Sequence, residues 1–94
     1  MATIIATGRI IRPDLLTPAL VDLENAALAE LGRVGAVDAA YLHEGRTEVT
    51  LVIDADDTTA AAAVLEKLPF VAGKQMVMRY TTAQRLLTPE WTRR

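Results

Sequence analysis

The sequence contains no cysteine, so it has no disulfide framework, no thiolate nucleophile and no thiolate metal cluster, a usage compatible with a reducing compartment. Aromatic residues make up only 4% of the chain against 51% hydrophobic residues in all, so a core must be assembled from Ala, Val, Leu and Ile rather than large rings. No apolar run approaches the roughly 20 residues needed to span a bilayer. The start Met1-Ala2-Thr3-Ile4 lacks the basic, apolar and small-residue zones of a signal peptide, which makes the cytoplasm the expected location. Nor is positive charge in excess: a formal net charge of −2 argues against a nucleic-acid or anionic-membrane surface, because both need a positive footprint to release counterions. Histidine occurs once, at His43, and no carboxylate-rich spacing completes a metal site around it, so no metal is expected. The acids from Asp54 to Asp57 lack the glycine and closing glutamate of a calcium loop and read as a helix cap.

What is present describes one domain, since 94 residues leave no room for a second core. Thr3 to Ile11 is rich in β-branched residues and stops at Arg12-Pro13, which predicts a first strand. Asp14 then opens a helix, with Pro18 in its first turn, apolar residues at Leu16, Leu20, Leu23, Ala27, Leu31 and Val34, and Gly32 and Gly35 at its end. Ala36 to His43 and Thr47 to Asp54 read as two strands of a hairpin across Glu44-Gly45-Arg46. Asp56 or Asp57 caps a second helix running to Leu68, where Pro69 stops it, and Lys74 to Thr82 forms a fourth strand. The order βαββαβ predicts an α+β, ferredoxin-like domain over residues 1–82, a four-stranded antiparallel sheet with two helices on one face. The bare sheet face calls for a second copy, giving a dimeric α/β barrel, a homodimer or a higher homo-oligomer. Residues 83–94, with Pro89 and Trp91, have no clear period and form a tail that could dock on a partner subunit.

Glu24 is the most informative residue. Advancing about 100° per residue from Leu20 places it near 40°, between Leu31 near 20° and Leu28 near 80°. An acid inside an apolar stripe either finds a partner, takes up a proton or lies in a cleft, and the competing reading is an acid at a helix edge that reaches solvent or an arginine. His43 sits at the end of the second strand with Tyr41 on the same face, a plausible polar lining. If the apolar sets face the helices, then Thr7, Arg9, Glu48, Thr50, Gln75 and Arg79 face the other side of the sheet. Two uses fit them: a dimer interface knitted by ion pairs, or a cavity in which Arg79 or Arg9 grips a substrate carboxylate bidentately beside Glu48. Gly8 within the first strand suggests close backbone approach, and Met76 and Met78 are core filler.

The run Glu24 to Gly35, the following strand with Tyr41-Leu42-His43, the glycine-containing turn and Leu68-Pro69-Phe70 together carry a resemblance. In these features the chain resembles the muconolactone isomerase-like families of the dimeric α/β-barrel superfamily, which also includes the YciI-like proteins and the small cofactor-free antibiotic-biosynthesis monooxygenases. The resemblance covers Ile10 to about Thr82. Muconolactone isomerases carry an acid in the first helix where Glu24 stands, which implies a proton-transfer role for it. Their turn carries His and Asn where this chain reads Glu44-Gly45-Arg46-Thr47-Glu48. The expected function is small-molecule metabolism by an isomerase or cyclase that moves a proton next to a carbonyl without metal or organic cofactor. Glu24 would take the proton, Tyr41 or His43 would steady the enolate oxygen, and Arg79 or Arg9 would hold an acidic substrate group. The alternatives are a non-catalytic dimeric module for ligand binding or assembly, and a cofactor-free monooxygenase acting on aromatic polyketides.

Overall fold

The computed structural model describes residues 2–84. Strand β1 (Ala2–Ile10) leads through a 3₁₀ turn (Pro13–Leu15) to helix α1 (Pro18–Arg33). Strands β2 (Ala39–Leu42) and β3 (Glu48–Ala55) form the hairpin, and helix α2 (Thr58–Leu65), a short helix α3 (Pro69–Ala72) and strand β4 (Met76–Ala83) complete the chain. The sheet order is β2-β3-β1-β4 with every neighbouring pair antiparallel. This is the ferredoxin-like α+β fold, in which β3 inserts between the two strands that α1 connects.

Pairing register decides what each face carries. Ile4 opposes Ile53, Ala6 opposes Leu51 and Gly8 opposes Val49, so one face of the two central strands is wholly apolar. That face packs against Ala61 and Leu65 of α2 and Leu68, with Ala27, Leu28 and Leu31 of α1 resting on it. Because side chains alternate, a slip of one residue would turn the whole apolar set outward, and the hydrophobic effect locks the register. Gly8 is needed for close approach: a Cβ there would lie 2.7 Å from the sulfur atoms of both Met76 and Met78.

Local chemistry explains where elements begin and end, and it corrects two expected helix boundaries and the limits of two strands. Helix α1 starts at Pro18, not Asp14. A residue preceding proline is forced out of the helical region, so Thr17 is extended (φ −94°, ψ 158°), and its hydroxyl accepts the N–H of Leu20 at 3.1 Å as an N-cap. Asp14 belongs to the separate 3₁₀ turn, where Arg12 donates to it. The other end of α1 closes with Ala36 N–H bonded to Leu31 O and Gly35 N–H to Gly32 O, a Schellman arrangement that places Gly35 at φ +80°. This exit uses Ala36 and Val37, so β2 is shorter than its sequence suggests. The second correction concerns Pro69, which opens α3 rather than stopping a long α2. Helix α2, capped by Asp57 through the N–H of Ala60 at 2.8 Å, already ends at Leu65. Leu68 is extended ahead of the proline, and Pro69 takes the first position of α3, where a missing N–H is harmless. Strand β4 runs from Met76 to Ala83, against the expected Lys74 to Thr82. The expected tail with Trp91 lies outside the described residues.

Candidate functional site

Glu24 is the one residue of α1 that is buried, at 8% exposure, while Leu23 beside it is 61% exposed. The angular position worked out from the sequence is therefore realised, and Leu23 falls off the stripe. Burial alone would leave a carboxylate without hydrogen bonds, and a neighbouring helix end supplies one. The first turn of α3 has N–H groups with no intrahelical acceptor, and the Phe70 N–H donates to Glu24 Oε1 at 3.0 Å. Among the described residues Glu24 makes no ion pair. Desolvation pushes its carboxyl pKa up, and the Phe70 N–H opposes this by a smaller amount.

Glu24 opens onto a cavity of about 480 Å³ between α1, the hairpin end of the sheet and α3. Its walls are apolar, with Ile10, Leu28, Leu51, Leu68 and Met76 among them. Four polar side chains belong to the lining residues: Glu24, Asn25, Tyr41 and Arg46. Asn25 and Arg46 did not stand out in the sequence. Asn25 follows the stripe at about 140° from Leu20, just past its edge, and offered a weak signal. Arg46 lies in a turn, where no periodicity marks direction, so nothing local pointed to it. A second cavity of about 400 Å³ between α1 and α2 includes Glu30, whose carboxylate is already engaged by Arg33.

The other predicted site residues are placed on the opposite face of the sheet. Tyr41 opposes Thr50, Thr50 opposes Thr7 and Thr7 opposes Arg79, forming one transverse row. In the next row Glu48 opposes Arg9, which opposes Val77. His43 joins both rows, with Nε2 hydrogen-bonded to Thr50 Oγ1 at 2.6 Å and Nδ1 3.9 Å from a Glu48 carboxylate oxygen. Thus Arg9, His43, Glu48 and Arg79 are brought together with one another but not with Glu24, because β alternation puts them on the face away from the helices. Tyr41 alone touches both settings: its residue borders the cavity at the edge strand while its pairing partner is Thr50. Among the described residues, no group of three or more His, Cys, Asp and Glu is arranged to hold a metal ion, and no helix is long and apolar enough to cross a membrane.

No family model matches this chain, and no curated protein matches it. Among solved structures it is similar to the 5-chloro-2-hydroxyhydroquinone dehydrochlorinase (TftG) of Burkholderia phenoliruptrix AC1100 in complex with 2,5-dihydroxybenzoquinone. The TM-score is 0.55 at 18% identity, covering 93% of this chain and 96% of that one. The likeness shows the fold. It bears on the ferredoxin-like architecture alone, and not on the muconolactone isomerase family.

Proposed function

We propose that this protein is a cofactor-free small-molecule enzyme in which Glu24 transfers a proton next to a carbonyl, as an isomerase or cyclase does. The observation that carries the reading is a buried carboxyl group that makes no ion pair among the described residues, facing a largely apolar cavity large enough for a small ring compound. Burial raises the proton affinity of the carboxylate toward that of a useful base, and the Phe70 N–H holds one oxygen so that the other is left to act. Glu24 takes the proton from a carbon next to a carbonyl, the C–H electron pair forms a C=C bond, and the carbonyl π pair moves onto the oxygen. Asn25 and Tyr41, the uncharged side-chain hydrogen-bond donors among the cavity residues, are suited to steady that oxygen. The enolate then recovers the proton at a different carbon in an isomerisation, attacks an electrophile within the same molecule in a cyclisation, or expels a leaving group. The last of these is the overall chemistry named for the structural neighbour, since dehydrochlorination is loss of a proton and a chloride.

The open sheet face fits assembly better than catalysis. Ile5, Val52 and Val77 lie there among the charged rows, with Val77 43% exposed, and a second copy of the same face would cover them. Arg9, His43, Glu48 and Arg79 then set the register of a homodimer.

Incubation with muconolactone and with 5-chloro-2-hydroxyhydroquinone in D₂O, followed by NMR, tests the catalytic reading. Glu24→Gln is expected to slow deuterium incorporation or product formation by about 10²-fold or more. Full retention of turnover in that variant would sink the proton-transfer role, and binding without exchange or turnover would favour the ligand-binding module.

A further inference from the structure

We infer that Arg46 is the anion-holding group of the Glu24 cavity, and that the ligand is a small, mostly apolar ring compound carrying one acidic substituent. This rests on the reading of that cavity as the functional site, and goes beyond it by naming the substrate class.

Arg46 is the one cationic residue that lines the cavity, and among the described residues it makes no ion pair. Arg9 and Arg79, on the sheet face away from the cavity, also make no ion pair among the described residues, but the exposed guanidinium groups with an acid in their own turn do engage it: Arg12 donates to Asp14 at 3.0 Å and Arg33 is paired with Glu30. Arg46 does not, although its own turn contains Glu44 and Glu48 follows two residues later.

Its position is also held firmly. The Arg46 N–H bonds to His43 O at 2.8 Å, His43 N–H bonds to Glu48 O at 2.9 Å, and Ile10 N–H bonds to Thr47 O at 2.8 Å. These bonds tie the turn to both neighbouring strands and hold Arg46 at φ +62°, a left-handed conformation that side chains other than glycine's rarely adopt.

The remaining geometry sets the ligand. Glu24 is buried and Arg46 is exposed, so the acid lies at the depth of the cavity and the cation at its mouth. A ligand anion placed deep would meet the Glu24 carboxylate at short range in a poorly solvated space, where like charges repel strongly. Placed at the mouth, it meets a guanidinium that binds carboxylates through two parallel N–H bonds. The apolar body must then lie between the two, against Leu28, Leu51 and Met76. A volume of about 480 Å³ lies in the lower half of the range of about 300–1,000 Å³ typical of ligand pockets, which suits one substituted ring.

Titration calorimetry with 4-hydroxybenzoate and with 4-hydroxybenzyl alcohol, which share a ring and differ in charge, tests the inference. The wild type is expected to bind the carboxylate at least tenfold more tightly. Arg46→Gln should erase that preference while leaving the alcohol's affinity unchanged, and Arg46→Lys should keep part of it. Melting curves of both variants exclude misfolding as the cause. Equal binding of the two probes by the wild type, no binding of either, or a preference that survives in Arg46→Gln overturns the assignment. Glu24→Gln separates this inference from the proton-transfer reading. It should retain the carboxylate preference, and a preference that persists where deuterium exchange is unaffected would refute the catalytic reading and leave Arg46 standing.

Discussion

Glu24 offers a thermodynamic test that needs no substrate. Replacement by Gln keeps an oxygen to accept the Phe70 N–H and removes the charge, whereas replacement by Ala removes the acceptor as well. Desolvation raises the folded-state pKa of Glu24 above its ordinary value of 4.5, so the native state holds the proton more tightly than the unfolded chain does. Wild-type stability is therefore fully present below that ordinary value and declines as pH rises through the folded-state pKa, each unit of elevation being equivalent to about 1.4 kcal/mol. Position 24 in Glu24→Gln does not titrate. The stability difference between Gln and Glu variants should be flat in acid, rise in favour of Gln above the ordinary carboxylate range, and level off once Glu24 is ionised in both states. Glu24→Ala should instead be less stable than Glu24→Gln at every pH by about 1–3 kcal/mol, the cost of an unpaired buried N–H, with the enlarged cavity adding to it. For a domain of this length about 1 kcal/mol moves Tm by about 4–8 °C, so thermal melts from about pH 3 to about pH 8 resolve both effects. A wild type that gains stability relative to Glu24→Gln as pH rises would refute the reasoning, because it would mean that the ionised carboxylate has a stabilising partner.

Two further outcomes follow from the fold. Ile5→Glu places a charge at the centre of the open sheet face, opposite Val52, and should convert an assembled protein to monomers in sedimentation velocity without loss of helical circular dichroism; unchanged assembly would exclude this face as the interface. Gly35→Ala should lower stability by about 1–2 kcal/mol in urea unfolding, since φ +80° is strained for any residue with a Cβ while no atom lies within 4 Å to clash; a neutral result would show that the helix exit adjusts without cost.

Most of the architecture was legible because it is written in short-range patterns. Strand alternation, helical spacing, a cap at Asp56 or Asp57 and Gly35 as a helix exit are local, and each acts within a few residues of its cause. The two misplaced helix boundaries have the same root. Pro18 and Pro69 both mark first helical positions, and a proline after a helix-like pattern reads equally well as a stop or a start until the preceding residue is seen to be extended.

The chain by itself determined the ferredoxin-like order of elements, the division of the sheet into an apolar and a mixed face, and the entry of one acid into an apolar helix stripe. Only the tertiary structure decided what that acid meets. Its partner, the Phe70 N–H, is 46 residues away, and Arg46 reaches the cavity from a turn that carries no period. The same pairing register sends Arg9, His43, Glu48 and Arg79 to the face away from Glu24. Periodicity reports which way a side chain points from its own element, but a site forms between elements, and its members are chosen by packing and strand register.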